Sequence, residues 1–172
     1  MVSNPSPAFS VADDADAAIA PLIAADVTRG VCRMLLRHDC VAMAEVPLGD
    51  GRRADLMALN LRGEIVIVEV KVSRADLIGD GKWTDYLAHC DRYFWAVPQG
   101  FDLAPFERPD FLPERAGVIV ADRYDAAIVR EARTHPLPSA TRRKCTLAFA
   151  RRAARRVITL TDPDADGIGW SG

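Results

Sequence analysis

Between Ala15 and Arg37 the apolar residues Ile19, Ile23, Val27, Val31, Met34 and Leu35 recur three and four positions apart. That is the period of a helix with one buried face, and Pro21 marks a break or a fresh start within it. Three short segments rich in β-branched and aliphatic residues follow at 41–47, 53–59 and 64–71, separated by Leu48-Gly-Asp-Gly51 and Asn60-Leu-Arg-Gly63. Turn residues of this kind between such runs predict antiparallel strands. A helical stretch around 82–90 comes next, then the apolar run Tyr93 to Val97, a proline-rich loop from Pro98 to Pro113, the run Val118 to Ala121 and a strand near Ala127 to Val129. The last element is a helix from about Pro138 to Val157, with Leu147, Ala150, Ala154 and Val157 as its apolar stripe.

A chain of 172 residues, 49% of them hydrophobic, suits one domain. A chain of that length buries roughly 70% of its unfolded surface. Residues 1–14 read as a disordered lead, 15–158 as the domain and 159–172 as a flexible acidic tail. No run approaches the roughly 18 apolar residues of a membrane span, and the N-terminus lacks the order of a signal peptide, so a soluble cytoplasmic protein with no membrane partner is expected. Cys32, Cys40, Cys90 and Cys145 show no CxxC spacing and are read as reduced thiols. His38, His89 and His135 share no metal-ligand spacing, and Ser139 lacks the context for acyl transfer.

The net charge of −2 hides a segregation. Residues 1–26 carry Asp13, Asp14, Asp16 and Asp26 with no base, and residues 157–172 repeat this with Asp162, Asp164 and Asp166, which leaves 27–156 with five net positive charges. All the bases but Lys71, Lys82 and Lys144 are arginines. That preference suits planar recognition of phosphate, and a GC-rich genome produces it equally well.

The third strand holds the chemistry. In Glu64-Ile-Val-Ile-Val-Glu-Val-Lys71, alternation puts Ile65, Ile67, Glu69 and Lys71 on one face and Val66, Val68 and Val70 on the other. Opposite charges two residues apart at the exit of a doubly buried strand are either an ion pair at the sheet margin or part of a site. Asp55 bears on that choice: it lies near the start of the preceding strand, where a carboxylate among aliphatic residues is costly unless it binds a metal or a partner. Pairing of strands two and three through the turn near Gly63 lets Asp55 approach Glu69 and Lys71. Converging hard oxygen ligands suit Mg²⁺ or Mn²⁺, which polarises a phosphoryl oxygen and acidifies water, while Lys71 offsets developing charge.

Asp55 followed by Glu69-Val70-Lys71, on strands two and three after an opening helix, resembles the PD-(D/E)XK nuclease superfamily. The resemblance sharpens with Thr28-Arg-Gly-Val-Cys-Arg33, Gly51-Arg-Arg-Ala-Asp55, Val68-Glu-Val-Lys71, Lys82-Trp-Thr-Asp-Tyr86, Cys90-Asp91, Gly117-Val-Ile-Val-Ala-Asp122 and the closing basic helix. Together these resemble the MmcB family of bacterial DNA repair proteins over about residues 27–158. The resemblance implies an α/β, restriction-endonuclease-like αβββαβ core with a mixed central sheet flanked by helices, plus the C-terminal basic helix. It also implies a divalent metal held by Asp55, Glu69 and the Val70 carbonyl, with Lys71 near the attacking water, and a role in DNA damage tolerance. Two departures stand out: Ala54, not Pro, precedes Asp55, and the opening helix has no Glu. Glu45 on strand one or Asp26 on the helix is the candidate replacement, with Glu45 preferred; pairing of Glu45 with Arg53 across the hairpin is the plainer alternative.

Lys82 and Tyr86, four apart, would share one helix face and hold a phosphate, or else Tyr86 packs on the core and Lys82 faces solvent. Trp83, Tyr93, Phe94 and Trp95 suit either the core or stacking on unpaired bases, with the core favoured. Arg142, Arg143, Lys144, Arg151, Arg152, Arg155 and Arg156 fall between 142 and 156 with no acid among them, a pattern that suits contact with a DNA backbone. The expected protein is a Mg²⁺- or Mn²⁺-dependent deoxyribonuclease acting in repair, with DNA and other repair proteins as partners. The alternative is an inactive DNA-binding scaffold of the same fold.

Overall fold

The computed structural model describes residues 22–79, 81–162 and 164–165. The 1–14 lead, the first part of the opening helix and residues 166–172 of the acidic tail lie outside them. Six strands form one mixed sheet in chain order. β1 (Cys40–Pro47), β2 (Arg53–Asn60) and β3 (Ile65–Val70) are antiparallel neighbours. β4 (Arg92–Pro98) and β5 (Gly117–Ala121) continue from β3 in parallel, and β6 (Ala126–Arg130) returns antiparallel. This is the expected restriction-endonuclease-like αβββαβ order in an α/β fold, extended by β5, β6 and the closing helix.

All six residues of β3 are buried, as expected of a strand covered on both sides. Its alternation divides the core as the sequence predicts. Val66, Val68 and Val70 pack with Leu56, Phe94 and Ile119 beneath Val27, Val31, Met34 and Leu35 of α1 (Ala24–Arg37). Ile65 and Ile67 face the opposite cluster, built from Trp83, Tyr93, Trp95, Phe106, Phe111 and Phe149. Trp83, Tyr93, Phe94 and Trp95 are each at most 5% exposed, so these aromatics are core and do not stack on bases. Gly30 lets α1 sit against the β5–β6 turn, where a Cβ would overlap the Asp122 and Asp125 carbonyl oxygens.

The helix expected around 82–90 is replaced by two shorter pieces, α2 (Arg74–Gly79) and a 3₁₀ turn at Trp83–Ala88. With Gly79 closing α2, Gly81 following it and only Leu77 of α2 buried, the segment has no sustained apolar stripe to read. The proline-rich loop buries Phe106 and Phe111 in two further 3₁₀ turns.

The closing helix α3 (Ser139–Thr161) runs past Val157, where the helix is expected to end, and its orientation differs from the expectation. Leu147 is 53% and Val157 58% exposed, and the face toward the sheet is Cys145, Phe149 and Ala153. Two things turn the helix: Phe149 offers more area to bury than any residue of the expected stripe, and Arg142 is anchored at the other end of the same face. Arg142 Nη1 and Nη2 donate to the Asp91 carboxylate at 2.9 and 2.7 Å, and Nη1 also donates to the Gly63 carbonyl at 3.1 Å.

Asp91 is 2% exposed and accepts two further hydrogen bonds, from Ile65 N and Leu137 N, both at 2.7 Å. A buried carboxylate is tolerated only with such a full set of donors. The set joins the start of β3, the approach to α3 and α3 itself. Asp91→Ala would strand a guanidinium and two backbone N–H groups. The expected loss is about 3–5 kcal/mol of unfolding free energy, read as a lower urea midpoint. A loss under about 1 kcal/mol would show that the junction holds without it.

Candidate active site

The β2–β3 ladder ends at Leu56–Val68. One step beyond, Asp55 N donates to Glu69 Oε1 at 3.0 Å, and Val70 N donates to Asp55 Oδ2 at 2.8 Å. Each carboxylate takes the backbone donor that a carbonyl of the neighbouring strand would otherwise have taken. The two acids are thereby fixed side by side at the carboxyl end of β3, where antiparallel pairing on one side meets parallel pairing on the other. Crevices at such switch points are where open α/β sheets bind ligands.

Strand β1 gives way at the same level. Glu45 would stand opposite Asp55, but the ladder runs from Ala44–Leu56 to Val46–Ala54 and omits it. Its backbone is left-handed, with φ at 57°, a conformation costing about 1–3 kcal/mol for a non-glycine residue. Alternation breaks around it: Met43 and Val46 pack in one cluster, as do Ala54 and Met57. The Glu45 carboxylate pairs with the Arg53 guanidinium, so the plainer alternative is realised. Its charge nonetheless reaches Asp55. Asp26, the other candidate, accepts from Ile23 N at the start of α1 and lies 3.9 Å from Arg123, and it does not figure among the charges acting on Asp55.

Lys71 follows β3 directly, its backbone N donating to Ala96 O at 2.9 Å. It is 7% exposed, with Nζ 5.8 Å from the Trp95 ring centroid and 3.9 Å from Asp76 Oδ1. Asp76, on α2, is absent from the sequence-based set. Its signal was the capping pattern Ser73-Arg-Ala-Asp76, realised here as Asp76 N donating to Ser73 Oγ at 3.1 Å. Burial pushes the Asp55 carboxyl above the ordinary carboxylate range. The Val70 N–H and the Lys71 charge counter this only in part, and Glu45 and Asp76 push it further up.

The flanking residues divide. Tyr86 lies on the 3₁₀ turn, where residues three apart eclipse, and Lys82 is the residue just before it, so a spacing of four does not place them on one face. Tyr86 donates its hydroxyl to Arg53 O at 3.2 Å and rests 6.3 Å from the Tyr93 ring, tying the turn to β2, whereas Lys82 is exposed. On α3, Arg142 is occupied by Asp91 and is a structural residue, not a phosphate contact. Arg143, Lys144, Arg151 and Arg155 are exposed, with the Lys144 ammonium over the β1–β2 turn near Gly49. Arg156 donates to Ala44 O, next to Glu45, which brings the basic helix to the edge of the acidic pair. Arg152 is half-buried, and desolvation together with Arg156 and Arg155 lowers its pKa. Guanidiniums crowded in this way are relieved by an anion.

Residues 14–164 match the family described as DNA repair protein MmcB-like. The chain belongs to that family. A solved structure of a protein of unknown function from Silicibacter pomeroyi is 41% identical, with a TM-score of 0.76, over 89% of this chain and 99% of that one. Pyrococcus furiosus SfsA, solved in complex with Ca²⁺, is 13% identical, with a TM-score of 0.26, over 57% of this chain and 56% of that one. No curated protein matches. Among the described residues no helix is long and apolar enough to cross a membrane.

Magnesium is commonly held by one or two carboxylates with waters and substrate oxygens completing its octahedron. Asp55 and Glu69, each with one oxygen fixed by a backbone N–H, suit that role, and the Val70 carbonyl is next in sequence. Among the described residues no group of three or more His, Cys, Asp or Glu side chains is placed to hold a metal ion, so protein side chains would supply at most the two carboxylates.

The raised Asp55 binds its proton more tightly in the folded chain than in the unfolded one. It therefore lowers stability at neutral pH, and the penalty vanishes as pH falls below the unfolded carboxylate value of about 3.9. Asp55→Asn, which keeps an acceptor for Val70 N, should melt higher than the parent at about pH 7 without metal, and the gap should close toward about pH 4. Circular dichroism melts across that range test this; a variant that melts lower at neutral pH contradicts it.

Proposed function

We propose that this member of the MmcB-like family is a PD-(D/E)XK-type nuclease that hydrolyses DNA phosphodiester bonds during repair. The observation that carries the reading is the reciprocal hold of Asp55 and Glu69 at the end of β3, with Lys71 beside them. Evolution gains nothing in stability from a desolvated carboxylate kept above its ordinary pKa, and such groups concentrate at functional sites.

In this reading Asp55, Glu69 and the Val70 carbonyl hold Mg²⁺ or Mn²⁺, which supplies Lewis acidity at the scissile phosphate. Lys71 orients the attacking water and offsets charge on the phosphoryl oxygens. Arg143, Lys144, Arg151, Arg152, Arg155 and Arg156 track the backbone and bring the strand to the acidic pair, with Lys82 as a further phosphate contact. Glu45 assists as the third carboxylate once DNA draws Arg53 away. The cytoplasm is the compartment such a substrate implies, and repair proteins are the natural partners.

A DNA-docking protein without turnover is the second reading, favoured by the Glu45–Arg53 pair, which occupies the third acid. Cleavage of single-stranded, junction-containing and damaged DNA, beside RNA, with Mg²⁺ or Mn²⁺ separates the two. Asp55→Ala and Glu69→Ala should each lower cleavage by at least about a hundredfold with DNA affinity largely kept. Undiminished cleavage in both variants refutes the site, and no cleavage by the parent on any substrate favours the docking reading.

Removing Arg143, Lys144, Arg151 and Arg155 together should lower affinity and reduce the salt slope by roughly three to four. An unchanged slope excludes α3 as a phosphate contact.

A further inference from the structure

Among the described residues, one aromatic side chain is exposed. The others lie buried or half-buried in and around the core, whereas Tyr124, in the turn between β5 and β6, is 66% exposed. A single surface aromatic needs no explanation by itself, but the way this one is held does. Asp122 Oδ1 accepts from Tyr124 N at 2.6 Å and from Asp125 N at 2.8 Å, and Asp122 N donates to Asp125 O at 2.9 Å. From α1, Arg33 Nη1 donates to Tyr124 O at 3.4 Å, and Arg37 pairs with the Asp125 carboxylate. Gly30, lacking a side chain, lets α1 close on the turn. The backbone under the ring is fixed from two sides while the ring stands in solvent, so contact with it costs little ordering.

The charges around the ring favour an anion. Arg29 and Arg33 are exposed, four residues apart on one face of α1, and neither is paired with a carboxylate among the described residues. The turn also stands on the same rim of the sheet as Asp55 and Glu69. β3, β4 and β5 run parallel, Val70 is level with Ala96 and Ala96 with Ile119, and Asp122 lies three residues further along. At about 4.8 Å between strands and about 3.3 Å per residue, the turn begins roughly 14 Å from Val70.

We propose that Tyr124 is a stacking platform for an unpaired base, with Arg29 and Arg33 taking the neighbouring phosphates, so that the chain holds single-stranded DNA along the carboxyl rim of its sheet. An aromatic face beside guanidiniums suits a single strand, because every base has a π-face and the backbone is charged throughout. A duplex keeps its bases stacked inside and has none to offer the ring. The inference rests on the DNA-directed part of the function proposed above and deepens it, without requiring the acidic pair to cleave.

Fluorescence anisotropy of the full chain in EDTA tests this, with a labelled oligo-dT of about 20 nucleotides and a duplex of equal length. Tyr124→Ala should weaken oligo-dT binding by about tenfold, the loss of one stacked base, and duplex binding by less than about twofold. Tyr124→Phe should bind oligo-dT like the parent, because stacking uses the ring and not the hydroxyl. Arg29→Ala/Arg33→Ala should reduce the log–log salt slope for oligo-dT by about one to one and a half. Tyr124→Trp should add the emission of an exposed indole, which oligo-dT quenches.

If Tyr124→Ala costs nothing on either form, or the same on both, the inference is overturned while the DNA-directed reading stands. An added Tyr124→Trp emission that oligo-dT leaves unchanged overturns it as well. Tighter binding of oligo-U than of oligo-dT by the parent overturns the assignment to DNA. Absence of binding by the parent to single strand and duplex alike overturns the DNA-directed reading itself, and the inference with it.

Discussion

Backbone N–H groups at the point where two strands part must find acceptors, and in this chain the acceptors are acidic side chains. Asp55 and Glu69 each take a donor from the other's strand, so the end of the β2–β3 ladder and the candidate site are one structure. The carboxylates cannot relax toward water without leaving an amide unsatisfied. That coupling explains why two like charges persist side by side, and why Asp55 carries the burden of desolvation. The left-handed Glu45 belongs to the same event, since it opens β1 at the level where β2 and β3 separate.

A second buried acid plays the opposite part. Asp91 lies near the start of β4, meets a guanidinium and two amides, and holds the N-terminal end of α3 against the sheet. One carboxylate is satisfied in full and serves the fold. The pair at the other end of β3 instead takes one backbone N–H on each acid and belongs to the end of the β2–β3 ladder. The basic helix links the two regions, since Arg142 closes on Asp91 and Arg156 reaches Ala44 beside Glu45.

Much of this is legible in residue order. The strands, the doubly buried run of β3 and the grouping of Asp55 with Glu69 and Lys71 follow from period-two alternation and short turns, both of which are local. The helical connection is less legible: α2 and the following 3₁₀ turn are too short to show a period, so nothing in residue order signals Asp76 beside the pair, and the four-residue spacing of Lys82 and Tyr86 implies a shared helix face that is not there. The roles of Asp91 and Arg142 were hidden for a different reason. Their contact spans 51 positions, and an arginine in a basic run looks the same whether it faces solvent or a buried acid.

The sequence by itself determined the sheet, the order of its elements and the identity of the acids on β2 and β3, because side-chain alternation and turn chemistry act over a few residues. Only the tertiary structure decided which face of α3 is buried and which arginine is structural. Those outcomes depend on which large apolar residue finds a place in the core and which buried charge finds a donor, and both are settled by distant segments meeting in space.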